Sequence, residues 1–236
     1  MEKEFDDNIR RKYKAPFLDV HRVDLQLCLF ERAKALGVRF ELGQKVEAIN
    51  FAEATITTQK GMQAKGDLIV AADGLWSKSR SLFSGETPRP TGDLAYRVVL
   101  DLDQVTDPEL RDWITSPTVH FWIGPGAHAV GYSLRAGKMY NIVLLVPDDL
   151  PAGISRQPGS VDEMRALFKD WDPILGRFLS MVDSVEKWKL MHSKCADIFS
   201  CYYADANSCL LVEPLSKWVN KDSSLVFLLV SSPPDS

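Results

Sequence analysis

A chain of 236 residues with 45% apolar and 25% charged side chains has the make-up of an ordinary globular protein, long enough for one large domain or two small ones. Its net charge of −4 gives no footing for nucleic acid or an anionic membrane, and no apolar run approaches the roughly 18 residues that span a bilayer. The opening Met1-Glu2-Lys3-Glu4-Phe5-Asp6-Asp7 is acidic and polar, unlike a signal or transit peptide, so a cytoplasmic location is expected.

Residues 1–16 are charged and show no apolar period. A helix is expected over 23–36, where Leu25, Leu29 and Ala33 recur every four residues, and Gly37 suits the position just beyond its end. Strands are expected at 38–42, 45–51 and 54–60, followed by a hairpin connection at 61–66 and a buried strand at 67–72. This order describes an α/β layer with an inserted antiparallel ribbon. The Pro-containing loop at 86–92 reads as a domain border. Beyond it, strands at 94–102, 118–123, 127–134 and 139–146, interrupted by a helix at 107–114, suit an antiparallel sheet. Amphipathic helices at 161–171 and 174–182 would cover it. Cys195, Cys201 and Cys209 crowd one stretch near His192, but no Cys-x2-Cys pair is present, so unpaired thiols and no metal are expected.

The stretch Asp73-Gly74-Leu75-Trp76-Ser77-Lys78-Ser79-Arg80 follows directly on the apolar run Leu68-Ile69-Val70-Ala71-Ala72. Ligands of open α/β sheets sit beyond the carboxyl ends of such strands. An Asp there accepts hydrogen bonds from hydroxyls, a Gly lets backbone approach a ligand, and Arg80 offers a cation to phosphate. The same residues also suit a strand-to-helix turn closed by an N-cap.

Three separated motifs, His21-Arg22-Val23-Asp24-Leu25-Gln26, the Asp-Gly stretch, and Leu94-Ala95-Tyr96-Arg97 through Gly124-Pro125-Gly126-Ala127-His128-Ala129-Val130-Gly131-Tyr132 to Tyr140-Asn141-Ile142-Val143, occur in order. Together they resemble the FAD-dependent aromatic monooxygenases of the salicylate hydroxylase and para-hydroxybenzoate hydroxylase type, fungal members above all, from about residue 13 to residue 194. The resemblance implies a partial Rossmann-type FAD-binding layer of the glutathione-reductase-like kind over 1–90. It further implies an antiparallel substrate-binding sheet domain with covering helices over 91–190, and leaves 191–236 as an irregular segment in place of the family's Gly-Asp strand region.

The resemblance also assigns roles. Arg22 would lie along the FAD pyrophosphate, where a guanidinium forks onto phosphate oxygens. Gln26, one turn later, would face the same way. The strand at Lys45-Val46 would meet the adenine through its backbone, and Asp73, Gly74 and Arg80 would serve the pyrophosphate and the nicotinamide donor. Period-two geometry puts His128, Val130 and Tyr132 on one strand face. There the family has its substrate pocket, so His128 and Tyr132 would orient or deprotonate a phenolic substrate, with Arg97 near the flavin edge. The implied chemistry is NAD(P)H reduction of FAD, addition of dioxygen to give a flavin hydroperoxide, and oxygen transfer to a small aromatic or polyketide-derived ring in a site that excludes water.

The chain departs from the family pattern in two places. No Gly-x-Gly-x-x-Gly turn precedes Arg22, and the chain ends in Ser231-Ser232-Pro233-Pro234-Asp235-Ser236 where Gly-Asp is expected. Residues 213–219 and 224–228 still resemble the approach to that motif, with 195–212 standing between as an extra segment that reads as a retained intron. The chain as it stands is therefore expected to bind FAD weakly or not at all and to be inactive, the alternative function being a non-catalytic remnant that at most binds a partner.

Overall fold

The computed structural model describes residues 5–77, 79, 87–192 and 225–228. Its contacts fall into two compact units, Met1–Val38 with Gly92–Leu190 and Arg39–Thr91 with Met191–Ser236. One boundary falls beside the expected border at residue 90, while the first helices are grouped with the later sheet rather than with the strands that follow them.

Two helices open the first unit, α1 (Phe5–Tyr13) and α2 (Arg22–Ala35). α1 corrects the expectation of an unpatterned start. Charge rather than apolar period makes it: Asp6 and Asp7 sit in its first turn, Arg10, Arg11 and Lys12 in its last, and Arg10 bonds Asp6 at 2.7 Å. α2 lies where expected and ends as expected, with Gly37 at φ +86° donating its N–H to the Lys34 carbonyl at 3.0 Å. The expected apolar face does not form, for no residue of α2 is buried. Val23, Leu25, Leu27 and Leu29 alternate around the helix instead of stacking on one side, and each stays close to half exposed or more.

In the second unit β1 (Val46–Asn50), β2 (Thr55–Thr58) and β3 (Gln63–Lys65) form an antiparallel ribbon in that order. Residues 38–42 form no strand, contrary to expectation; the chain turns at Leu42 and Gly43, and Gly43 takes φ +67°. The strand β4 (Leu68–Ala71) pairs in parallel with β11 (Leu225–Leu228), in register Leu68 to Leu225 through Ala71 to Leu228. Ala54, Ile56 and Ile69 make a small core with Val46, Ile49 and Ala64 against it. The intron-like 195–212 lies outside the described residues.

A six-stranded sheet dominates the first unit. Its strands are β5 (Arg89–Asp101), β6 (Val119–Gly124), β7 (Ala127–Leu134), β8 (Met139–Pro147), β9 (Arg156–Gly159) and β10 (Val185–His192), in spatial order β6-β7-β8-β5-β10-β9. β9 was not expected; its Pro158 is tolerable because β9 is an edge strand. Three helices cover one face: α3 (Pro108–Thr115), α4 (Val161–Leu167) and α5 (Pro173–Ser180). Each starts on a side-chain cap: Asp107 accepts from Glu109 N–H at 3.0 Å, Ser160 from Glu163 at 3.2 Å, and Asp172 from Ile174 at 2.8 Å. Pro stands in the first turn of α3 and α5, where no N–H is needed. Leu110, Ile114, Met164, Leu175, Phe178 and Leu179 bury themselves from these helices against Tyr96, Tyr140, Ile142 and Leu144 of the sheet. On the same side Lys187, 5% exposed, reaches Asp149 at 2.7 Å and Glu163 at 2.9 Å. Burial alone would draw its pKa down, but the two carboxylates outweigh that and hold it above the ordinary lysine range.

Candidate active site

Alternation along the strands separates two faces of the sheet. Leu94, Tyr96, Val98 and Leu100 of β5 are buried under the helices, so Ala95, Arg97 and Val99 belong to the other face. On β7, Ala129 and Gly131 are buried under the helices while His128, Val130 and Tyr132 point away from them; Leu134, in phase with the second set, is buried as well. Register aligns these into rows: Ile123, His128, Leu145, Ala95; Phe121, Val130, Val143, Arg97; and Val119, Tyr132, Asn141, Val99. The sheet thus brings His128 and Tyr132 onto one surface, as period two implied, and its register adds Arg97 to that surface. His128 and Arg97 are exposed and Tyr132 half-buried. The Arg97 guanidinium lies 5.5 Å from the Trp188 ring centroid and that of Arg156 lies 4.4 Å from it, so an indole between two cations marks one side of this face.

Between the polar groups the surface is apolar. Phe121 is 64% and Ile123 83% exposed on the edge strand β6, far more than large apolar side chains in a finished core. Asn141, the direct cross-strand neighbour of Tyr132, is 3% exposed, and its amide Nδ2 has no hydrogen-bond partner among the described residues. A buried amide donor left unpaired costs about 1–3 kcal/mol. Sequence reasoning passed over this residue although it stands in the quoted Tyr140-Asn141-Ile142-Val143; counting in twos from the core residue Tyr140 would have put it on the face of Tyr132.

Behind this face, on the helix side, His120 stacks on Trp113 with ring centroids 4.0 Å apart, and its Nδ1 is 3.0 Å from the Tyr140 hydroxyl. Its Nε2 lies 3.3 Å from Thr118 Oγ1, so both ring nitrogens are engaged. Burial holds the imidazole below its ordinary pKa, which favours the neutral ring, and the same cause pushes the Tyr140 phenol well up.

Arg22 is the first residue of α2 and Gln26 follows one turn on; both are exposed. Val46 opens β1, pairs with Thr58 and packs its side chain into the small core of the second unit. The carbonyl of Lys45 accepts from Gln59 N–H at 2.8 Å.

At the end of β4, Asp73 accepts from the Ser77 hydroxyl at 2.6 Å through Oδ1 and from the Ser79 N–H at 3.0 Å through Oδ2. Burial raises its pKa, but the bonds from Ser77 and Ser79 prevail and the carboxyl lies below its usual value. These bonds close the chain after β4 onto residues four and six places further on. Gly74 supports this closure with φ +73°, a conformation that costs other residues. Arg80 lies outside the described residues.

No family model matches the chain. Individual relatives do. A FAD-dependent monooxygenase of Beauveria bassiana (strain ARSEF 2860) is 50% identical over 193 residues, which cover 80% of this chain and 45% of that protein. A 3-hydroxybenzoate 6-hydroxylase of Polaromonas naphthalenivorans (strain CJ2) is 31% identical over 182 residues, 76% of this chain and 44% of the relative. Among solved structures a salicylate hydroxylase substrate complex superposes with a TM-score of 0.61 at 21% identity, over 81% of this chain and 49% of the other. The chain belongs to the FAD-dependent aromatic monooxygenases. It spans about half the length of the relatives it matches.

Membership accounts for the mixed α/β architecture with its antiparallel sheet, as the resemblance implied. Among the described residues no helix is long and apolar enough to cross a membrane.

Proposed function

We propose that this chain is part of a monooxygenase that binds FAD, takes electrons from NADH or NADPH, and uses dioxygen to hydroxylate a small aromatic or polyketide-derived ring. In this reading residues 1–90 serve the cofactor and 91–190 the substrate. The observation that carries it is the open sheet face, where His128, Tyr132 and Arg97 stand in adjoining rows on an otherwise apolar surface. An aromatic ring would lie over Val130 and Val143, with its hydroxyl toward His128 and a second polar substituent toward the Tyr132 phenol. His128 would take the phenolic proton at a ring nitrogen and, being exposed, pass it to solvent. The surrounding Phe121 and Ile123 would exclude water once the face is covered.

Arg22 suits the FAD pyrophosphate: it stands at a helix start, exposed, with no hydrogen bond or ion pair among the described residues. FAD would supply the two-electron chemistry and the activation of dioxygen that no side chain provides.

Two observations favour a second reading for the isolated chain, a fold remnant without competent FAD binding. Both oxygens of Asp73 are already used by Ser77 and Ser79, and α2 leaves its leucines uncovered. The purified chain, mixed with FAD and passed over a desalting column, decides between them. Retention of about one flavin per chain, with NAD(P)H oxidation stimulated by hydroxybenzoates and a hydroxylated product, supports the enzyme. A colourless eluate supports the remnant.

A further inference from the structure

None of the residues of the helix that carries Arg22 and Gln26 is fully buried, and Phe30 and Ala33 are half-buried. A side-chain pair from its first turn does reach the sheet. Arg135 donates from Nε to Asp24 Oδ2 at 2.7 Å and from Nη2 to Asp24 Oδ1 at 2.6 Å, the fork-on-fork geometry that fixes both distance and angle. Asp24 lies two residues from both Arg22 and Gln26. At about 100° per residue this puts it on the opposite side of the helix from that pair. Gripping Asp24 therefore leaves Arg22 and Gln26 turned outward.

The sheet side is built for the same grip. Arg135 follows Leu134, the last residue of β7, and so stands three residues from Tyr132 on the strand that also bears His128. It heads a turn in which three successive residues take positive φ: Arg135 at +50°, Ala136 at +55° and Gly137 at +79°. A left-handed backbone at a residue with a side chain costs roughly 1 kcal/mol or more and persists only where its surroundings over-determine it. Here they do. A Cβ on Gly137 would come within 3.0 Å of Thr115 Cα, so the turn is pressed onto the end of α3 and cannot relax toward that helix. His21, immediately before α2, adds a second group beside the pair, with its Nδ1 3.8 Å from Asp24 Oδ1.

We infer that Asp24 and Arg135 are positioning residues, a clasp that sets where Arg22 and Gln26 stand relative to the strand carrying His128 and Tyr132. The inference rests on the proposed function for its meaning but not for its test. Neither residue touches cofactor or substrate; each acts through the element it holds. An exposed pair of this kind contributes little to global stability, so its effect is geometric.

The test is a distance measurement on the full chain. Cys28 is an exposed free thiol on α2 and takes a spin label, once Cys195, Cys201 and Cys209 are changed to Ser. A second label goes on α3 through Asp112→Cys. Pulsed electron-resonance distances should be narrow with the clasp intact and roughly twofold broader in Asp24→Asn and in Arg135→Gln, as expected for a helix freed to move locally. The charge-swapped pair Asp24→Arg with Arg135→Asp should narrow them again. Near-ultraviolet circular dichroism of the Trp113, His120 and Trp122 stack should not change throughout. Unaltered distance distributions in the single variants overturn the clasp. Broadening accompanied by loss of the aromatic signal overturns it too, since the pair would then support the fold in general. FAD titration into the same samples keeps the two ideas apart: failure of the parent chain to bind FAD counts against the proposed function and leaves the distance result standing.

Discussion

The two faces of the six-stranded sheet differ in what they have finished. Under α3, α4 and α5, Tyr96, Tyr140, Phe168 and Phe178 are at most 1% exposed, and the Lys187 ammonium meets two carboxylates. On the opposite face Phe121 and Ile123 lie open, and the amide nitrogen of Asn141 has no partner among the described residues. The same strands build both, because side chains alternate, so stability and recognition occupy different sides of one scaffold. Substitutions on the first face should be read in folding and substitutions on the second in binding and turnover.

The largest test of that division is Phe178→Ala. Phe178 is fully buried and stacks on Tyr140 with ring centroids 4.8 Å apart, so its truncation should cost about 3–5 kcal/mol in urea unfolding. Phe121→Ala on the open face should cost less than about 0.5 kcal/mol. Equal losses would erase the distinction between the faces.

Gly131→Ala comes next. Its new Cβ would lie 2.5 Å from the Tyr140 hydroxyl oxygen and 3.1 Å from Trp122, so about 1–3 kcal/mol should be lost through overpacking. Pairing it with Tyr140→Phe, which removes the obstructing hydroxyl, should recover part of that loss; a variant as stable as the parent would contradict the packing described.

The pH dependence of folding should show His120. Because burial holds its pKa below the ordinary value near 6.5 in the folded state, the unfolded chain takes up the proton first. Its contribution is complete above that value and declines as pH falls through the window beneath it. His120→Asn should flatten this acid limb in denaturant titrations, an effect smaller than that of Phe178→Ala or Gly131→Ala. An unchanged limb would mean that the ring is charged in the fold.

The smallest change in stability should attend His128→Ala and Tyr132→Phe, each within about 0.5 kcal/mol of the parent. If the proposed function holds, hydroxylation should fall by about 10²–10⁴ for His128→Ala, as for loss of a general base. Unaltered turnover in both variants would remove the open face from the reaction.

Much of this was legible along the chain. The strand at 127–134 was read with its boundaries intact, because alternation of small and large residues between two turns leaves no other period. Gly37 announced the end of α2 and Asp107 the start of α3, since capping is a local matter of one or two residues. α1 was missed because charge pairing, unlike an apolar stripe, leaves no periodic mark in hydropathy. β9 was missed because Arg156-Gln157-Pro158-Gly159 becomes a strand only through its pairing with β10.

The site divides in the same way. That His128, Val130 and Tyr132 share a face follows from strand geometry alone, and the residue order carried the likeness to the family. No local rule could foresee that Asn141 is buried without a partner among the described residues, or that Asp24 reaches Arg135 across 111 positions of sequence. Periodicity and capping are decided within a few neighbouring residues, so the linear order determines them. Which polar groups meet and which stay unpaired depends on how whole elements lie against one another, and that is decided only when the chain is folded.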